Sequence, residues 1–475
     1  MNPSVNVKMY RVGELGDCFL LTLKHNENFK HILIDCGSFR NSNSSITRLN
    51  KIAEDIQKQV SKNNGQLDVV VGTHQHNDHV SGFVHAESVF KNIPIENVWL
   101  SWLDDPKNKQ AQKIGQSHLE LRKALMQASA KMSSLTSKPT QKSAAMTNKM
   151  KEVHSLIDGL LEFFGAAPQL PAQGIENLKN FGTNGVQYLS PGDVQTVNGI
   201  PETAVKIHVL GPPENEDLLY RKDPKKGESY EMRLKSFNAM AQNFIHSLNN
   251  RSNGDDKEEE QFPFNSDYKR YVDKRTTHSP ALRKVIENYS AKHNDWRNID
   301  EDWMDLASRM ALYMDSFTNN SSLVLAIELV KTGKVLLFAA DAQTGNWVSW
   351  DDVKLTGGTT IDSLLERTVF YKVGHHGSHN STLKGALERM TNPELVAMIP
   401  VDKKDPNITK KNGWKMPATK LYQRLKEKTN LRVLLMDDGY ADDCDPSTST
   451  DARKSWNKLA SKPNITDLYV EFTIS

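Results

Sequence analysis

The stretch "VVGTHQHNDHVSG", residues 70–82, puts three histidines and one aspartate into the six positions from His74 to His79. The chain has only 15 histidines in 475 residues, so chance does not gather three of them here. The apolar run "LDVVV" leads into the cluster, so a buried strand ends where His74 begins. Residues two apart in an extended segment point the same way. His74 and His76 can therefore face one point in space. Asp78 and His79 can face a neighbouring point as the chain bends toward a helix. Neutral imidazole and carboxylate are the ligands that borderline and hard divalent metals prefer.

Three other apolar runs end in the same kind of chemistry. "VLLFAADAQTGNW" carries Asp341 directly after a strand, where a carboxylate is costly unless it is paired or bound to metal; a helix N-cap is the competing role. "TVFYKVGHHGSHNST" (368–382) carries His375, His376 and His379 in the loop after another strand. Lys372, beside that loop, either pairs with an anion or is a solvated strand lysine. "HILIDCGS" ends on Asp35, which either supports a metal ligand from behind or is a turn aspartate before Gly37. In layered α/β folds, sites gather where strands end.

The flanking pattern is α/β. "DCFLLTLK" (17–24) and "HILIDCG" (31–37) read as a hairpin, and residues 46–61 carry apolar side chains at helical spacing. Residues 82–90 read as a short helix, 95–103 as a strand and 302–317 as an amphipathic helix. Residues 319–347 read as strand, glycine turn, strand and loop. Strand and helix then alternate through 368–439, and "DLYVEFTIS" is a last strand. Two polar stretches interrupt the pattern. Residues 106–180 read as a helical insertion, and 214–300 as a polar and partly helical one containing the charge run "NRSNGDDKEEEQ" (250–261), expected to be a loop. These insertions account for an apolar share of only 37%. The net charge of +2 neither favours nor excludes nucleic acid. No apolar run is long enough to span a membrane and no signal peptide is visible. Three cysteines without paired spacing argue against a disulfide framework, so a cytoplasmic location is expected.

Taken together, "GELGDCFLL" (13–21), "ILIDCG", "THQHNDHVSG", "NNSSLVL" (319–325), "LLFAADAQ" and "VGHHGS" resemble the metallo-β-lactamase superfamily. The match is closest to the hydrolase domain of bacterial competence (DNA-uptake) channel proteins. It runs from residue 13 to 378 in the expected order, with both insertions outside it. The resemblance implies one domain over 1–475, an α/β fold of the four-layer αββα sandwich kind, and a two-metal site, zinc or else manganese. It implies His74 and His76 on the first metal, Asp78 and His79 on the second, and Asp341 bridging. His376 matches the last ligand, with His375 the alternative. Many members add a mid-chain histidine to the first metal. Here that region reads "IHVLGPPEN" (207–215), where His208 lies inside the strand and reads as a packing residue, so that ligand is unassigned.

A two-metal site activates water for attack on phosphorus or a carbonyl carbon. Asp78 could orient that water, and His375 or His379 could protonate the leaving oxygen or bind a phosphate. The expected function is a phosphodiesterase acting on nucleic acid or nucleotides. The lysines of "VDKKDPNITKKNGWK" (401–415) could track a phosphate backbone or simply be solvated. One alternative is a hydrolase of small esters, lactones or phosphocholine esters, with the insertions walling off a pocket. Another is a metal-bound interaction module with the helical insertions as partner surfaces.

Overall fold

The computed structural model describes residues 2–136, 144–163, 170–221, 279–289, 291, 293–294, 302–411 and 413–475. The charge run at 250–261 and most of the second expected insertion lie outside the described residues. The chain forms two compact units. The first comprises Met1–Gln116, Leu160–Tyr230 and Tyr313–Ser475 and contains both β-sheets. The second comprises Ser117–Gly159 and Glu231–Leu312 and is mostly helical where described, with parts of helices Lys109–Thr136 and Ala144–Glu162 and all of Pro280–Tyr289. Within it, the Ser129 hydroxyl donates to Asp158 Oδ1 at 2.5 Å, and His154 Nε2 lies 3.1 Å from Asp158 Oδ2.

The first unit opens with β1 (Ser4–Tyr10), β2 (Cys18–His25), β3 (Asn28–Cys36), β4 (Leu67–Val71), β5 (Ile95–Ser101) and β6 (Val186–Leu189). A second sheet follows from β7 (Val194–Gln195), β8 (Val205–Gly211), β9 (Val324–Leu329), β10 (Lys334–Phe338), β11 (Thr368–Lys372), β12 (Val396–Ile399), β13 (Val433–Leu435) and β14 (Gly439–Tyr440). The chain returns to the first sheet with β15 (Asn464–Ile465) and β16 (Tyr469–Ile474). The strand orders are β15-β16-β1-β2-β3-β4-β5-β6 and β14-β13-β12-β11-β10-β9-β8-β7.

Each sheet has a parallel block, β3 through β6 in one and β10 through β13 in the other. Parallel strands are covered on both faces, which is why "LDVVV" and "TVFYK" are buried along their whole length. β16, an antiparallel partner of β1, alternates buried and half-buried positions instead. Helix Asn43–Ser61 makes the crossover from β3 to β4. Ser42 caps it by accepting from Ser45 N, and it buries Leu49, Ile52, Ala53, Ile56 and Val60. One hydrophobic core draws on both sheets. Phe19 of β2 meets Phe338 of β10 edge-on at 5.9 Å, and Phe338 meets Phe370 of β11 at 5.3 Å. Each such side chain contributes about 1.5–3 kcal/mol on burial. The architecture is mixed α/β, with two eight-stranded sheets packed about a shared core.

Two local expectations change. Residues 82–90 form two single-turn helices, Gly82–His85 and Glu87–Phe90, because Ala86 between them leaves helical geometry (φ −111°, ψ 25°). The stretch after Asp341, expected as loop, contains helix Thr344–Ser349. Its anchor is the buried Asn346, whose amide donates to the carbonyls of Asn320 and Ser322 at 2.9 Å each. Among the described residues, no helix is long and apolar enough to cross a membrane.

Candidate metal centre

The paired parallel strands put the candidate residues together. β3 ends at Asp35 and Cys36, and its parallel neighbour β4 runs on to Thr73 and His74. In the other sheet β10 leads to Asp341, and its parallel neighbour β11 leads to His375 and His376. β2 is antiparallel to β3, so its start, next to Asp17, lies at the same end. The sheets are joined here by a hydrogen bond from Leu323 N to Thr73 O at 2.9 Å. Asp17 N donates to Asp78 O at 2.9 Å, and Gly37 N to Asp17 O at 3.0 Å. A Cβ on Gly37 would lie 2.4 Å from the Asp78 carbonyl carbon, so only glycine lets the β3 loop approach this closely.

The backbone is strained at the same places. Of eight described non-glycine residues with positive φ, four are Asp35 (56°), Ala340 (46°), His375 (41°) and His376 (51°). Each left-handed residue costs roughly 1–2 kcal/mol and persists only where its surroundings over-determine it.

Asp78, His79, Asp341 and His376 are buried, with one ligand atom from each lying within 4.8 Å of the others. His376 Nε2 is 2.9 Å from Asp78 Oδ2 and 3.9 Å from Asp341 Oδ2. His79 Nε2 is 3.2 Å from Asp341 Oδ2 and 3.7 Å from Asp78 Oδ2. The far edge of each ring is fixed by an acceptor. His79 Nδ1 meets Asp35 Oδ2 at 2.7 Å, and His376 Nδ1 meets the Pro400 carbonyl at 2.6 Å. Those acceptors place the ring proton on Nδ1, which turns the Nε2 lone pairs inward, as a metal ligand requires. Asp35 also accepts from Thr73 N at 2.8 Å and Thr73 Oγ1 at 2.7 Å. Asp341 Oδ1 accepts from His375 N at 3.0 Å.

Burial alone would push His79 and His376 down, but the surrounding carboxylates outweigh it and hold both imidazoles above their ordinary value, His79 by far the more. Burial would raise Asp78 and Asp341, but the neighbouring histidines, with Lys372 beside Asp341, hold both carboxyls low. Asp78 Oδ1, His79 Nε2 and Asp341 Oδ2 are buried with no hydrogen-bond partner among the described residues. Such atoms are costly to bury unless something satisfies them. The donor set is the one that suits a divalent ion, and these four residues can hold one.

His74 and His76 lie alongside. His74 Nε2 and His76 Nδ1 are 3.1 Å apart, and the His74 and His79 ring centres are 4.1 Å apart. Burial drives His74 well below its ordinary value and His76 to about 3, so both rings are neutral. His208 is elsewhere: its Nε2 lies 2.8 Å from Glu328 Oε2, and Arg367 holds the same carboxylate at 2.6 Å. At the end of β8 the place for a side chain is taken, since a Cβ on Gly211 would lie 2.3 Å from Asn346 Oδ1. His74 and His76 are not part of the four-donor group of Asp78, His79, Asp341 and His376.

Lys372 is no solvated lysine. It is 1% exposed, donates to the Ala340 carbonyl at 2.7 Å, lies 3.3 Å from Asp341 Oδ1 and pairs tightly with Asp17. Asp17 is the site residue that sequence reasoning passed over. It stands at the mouth of an apolar strand as Asp35 does, and that shared position was the available signal. Asp17, Asp35 and His79 also form a compact acidic group, but Thr73 and the His79 ring occupy both Asp35 oxygens and Lys372 pairs with Asp17 Oδ2, which leaves only the Asp17 Oδ1 oxygen unsatisfied, so the group reads as support for the ligands.

Beside the donors is a cleft of about 560 Å³. Its walls include Phe163, Gln343 and His375, which connect it to the cluster: the Phe163 ring lies 5.2 Å from that of His76, and His375 bonds Asp341. Burial lowers His375 to about 4, and its Nδ1 edge faces Gln343 at 3.3 Å and Ser378 at 3.1 Å. His379 is exposed on the cleft wall and is not among the clustered donors.

No family model matches this chain, and no curated protein does.

Proposed function

We propose that this chain is a metal-dependent hydrolase of the metallo-β-lactamase superfamily that cleaves phosphodiester bonds in nucleic acid or nucleotides. The observation that carries this is the convergence of Asp78, His79, Asp341 and His376 from two sheets, with inward ring nitrogens and unsatisfied oxygens. The packing of two eight-stranded sheets about one core accords with the four-layer αββα sandwich of that superfamily. Two metals, zinc or manganese, would be held by His74 and His76 on one side and by Asp78, His79 and His376 on the other, with Asp341 between. When bound, such ions lower the pKa of water toward neutrality and neutralise charge on substrate oxygens.

The remaining work falls to side chains. Asp78 Oδ1 would accept a hydrogen bond from the attacking water and so fix its direction. His375, neutral at physiological pH, offers its ring to a phosphate or leaving oxygen entering from the cleft. Asp35 keeps the tautomer and angle of His79. Phe163 shields His76 from bulk water. The Lys372 charge balances Asp17 and Asp341, which leaves Asp341 Oδ2 directed inward.

The test is elemental analysis of the purified protein, with cleavage of single- and double-stranded DNA, RNA and cyclic nucleotides measured beside Asp78→Ala/His79→Ala. Metal-dependent turnover that the double variant abolishes is expected. Absence of turnover on every substrate sinks the phosphodiesterase assignment. The bounded cleft volume favours one other reading, a hydrolase of small esters, and a panel of chromogenic esters and lactones separates the two.

A further inference from the structure

The loop of residues 401–415 supplies a rigid aromatic surface at the cleft. Asp405 pairs with both Arg40 guanidinium nitrogens at 2.7 and 2.9 Å, which ties the loop to the segment after β3. Trp414 N donates to the Asn407 carbonyl at 2.7 Å. The half-buried Trp414 ring stacks on Phe163 at 5.4 Å and 24°, and meets the edge of Phe39 at 5.5 Å. A ring held in this way loses little freedom when a ligand covers its remaining surface.

The lysines of the same loop divide by their partners. Lys403 is committed to Asp438 and Asp442 at 3.1 and 3.2 Å, Lys404 lies 3.6 Å from Asp438, and Lys410 bonds Asn407 at 2.9 Å. None of these three lines the cleft, nor does the exposed Lys411. Lys415 and, just beyond the loop, Lys420 line the cleft with solvent-accessible side chains and have no partner among the described residues. Thus one wall combines an aromatic ring with two unpaired cations, and another part of the cleft is lined by His375, whose backbone N–H donates to Asp341. A volume of about 560 Å³ suits a single ligand of nucleotide size. The Asp315 carboxylate on the wall disfavours further phosphates.

We infer that this cleft is a subsite for one unpaired nucleotide, its base stacked on Trp414 and its phosphate held by Lys415 and Lys420. A base within a duplex has both faces stacked and presents none to the indole, so the nucleotide must be single-stranded, terminal or flipped out. The inference deepens the phosphodiesterase proposal and relies on it only for the direction in which the nucleotide meets the metal centre.

The experiment uses metal-stripped full-length protein, so that binding is read without turnover. The probes are fluorescein-labelled octathymidylate and a labelled hairpin duplex of equal charge, followed by fluorescence anisotropy over a salt series. The single strand is expected to bind more tightly than the hairpin. Trp414→Leu should weaken it on the order of 10- to 100-fold. Lys415→Gln/Lys420→Gln should reduce the slope of log affinity against log salt by roughly 0.7 for each phosphate that the variant no longer neutralises. Both lysine side chains reach solvent, so this variant tests the subsite even if Trp414→Leu disturbs folding. Equal binding of the hairpin, or a lysine double variant that binds like the parent, overturns the inference. Phosphodiester turnover by the parent with binding indifferent to these changes removes the subsite and keeps the hydrolase. Binding that depends on them without turnover keeps the subsite and removes the hydrolase.

Discussion

Replacing Lys372 by Met keeps most of the side-chain stem and removes a charge that faces two buried carboxylates. Lys372 Nζ lies against Asp17 and 3.3 Å from Asp341 Oδ1, and both side chains of the tighter pair are only 2% exposed. At an effective dielectric of about 20, two unit charges at that separation interact by about 5 kcal/mol. Removing one partner of a buried pair commonly costs about 3–5 kcal/mol, because the other charge is left stranded. Burial already pushes the Asp17 carboxyl up, so Asp17 can relieve part of the loss by taking a proton. The expected destabilisation of the metal-free protein is therefore near the lower end, about 3 kcal/mol. Urea unfolding at pH 7 measures it. Asp17→Asn added to Lys372→Met should restore at least about 1 kcal/mol, because the stranded charge is gone. Saturating divalent metal should narrow the gap, since a cation then faces Asp341. A Lys372→Met protein within about 0.5 kcal/mol of the parent, the usual range for an ordinary surface substitution, would refute the placement of this pair at the foot of the site.

The raised His79 and His376 imidazoles give the metal-free protein a defined pH dependence. The folded chain keeps protons that the unfolded chain loses above about 6.5, so this stability is complete below that pH and declines as pH rises through the elevated folded values. The slope is about 1.4 kcal/mol per pH unit for each proton retained, and saturating metal should flatten it; melting temperatures in chelator that hold steady or rise from pH 6.5 to 9 contradict this. Asp35→Asn removes the acceptor that fixes the His79 ring and should cut metal affinity roughly 10- to 100-fold in a chelator competition, whereas parent-like affinity makes Asp35 a plain turn residue. His208→Gln should lose about 1–3 kcal/mol of stability through its contact with Glu328 while metal content stays at the parent level, and a stoichiometric loss of metal on that substitution returns His208 to the ligand set.

The cluster from His74 to His79 was legible because its cause is local: a buried, valine-rich strand runs directly into metal-seeking residues. Asp341 and the His375–His376 pair were legible for the same reason. That their side chains converge was legible only through the family resemblance, since convergence depends on parallel pairing within each sheet and on the packing of one sheet against the other. Asp17 escaped, and the role of Lys372 stayed open between an anion partner and a solvated lysine, because their meaning is a contact between distant segments. Helix Thr344–Ser349 escaped because Thr344, Gly345 and Asn346 are buried through tertiary hydrogen bonds and close approach, which leave no hydrophobic period to read. The cleft wall was hidden in a similar way. Phe163 lies in a stretch that reads as part of the helical insertion, and Trp414 follows a run of lysines, so nothing in either neighbourhood points to their stacking.

The donors lie at strand ends from both sheets, and this sets the order in which they become available during synthesis. His74 to His79 leave the ribosome about 260 residues before Asp341. At about 5–20 residues per second, that interval lasts roughly 13–50 s. Throughout it the nascent chain displays three histidines and an aspartate with no β10 or β11 to close around them. An ion caught then would sit on an incomplete set and would exchange freely with the surrounding pool. The complete set exists only after the second sheet is made and docked. Any ion the site retains would therefore be chosen by the finished fold, from whatever the surrounding solution offers when folding ends.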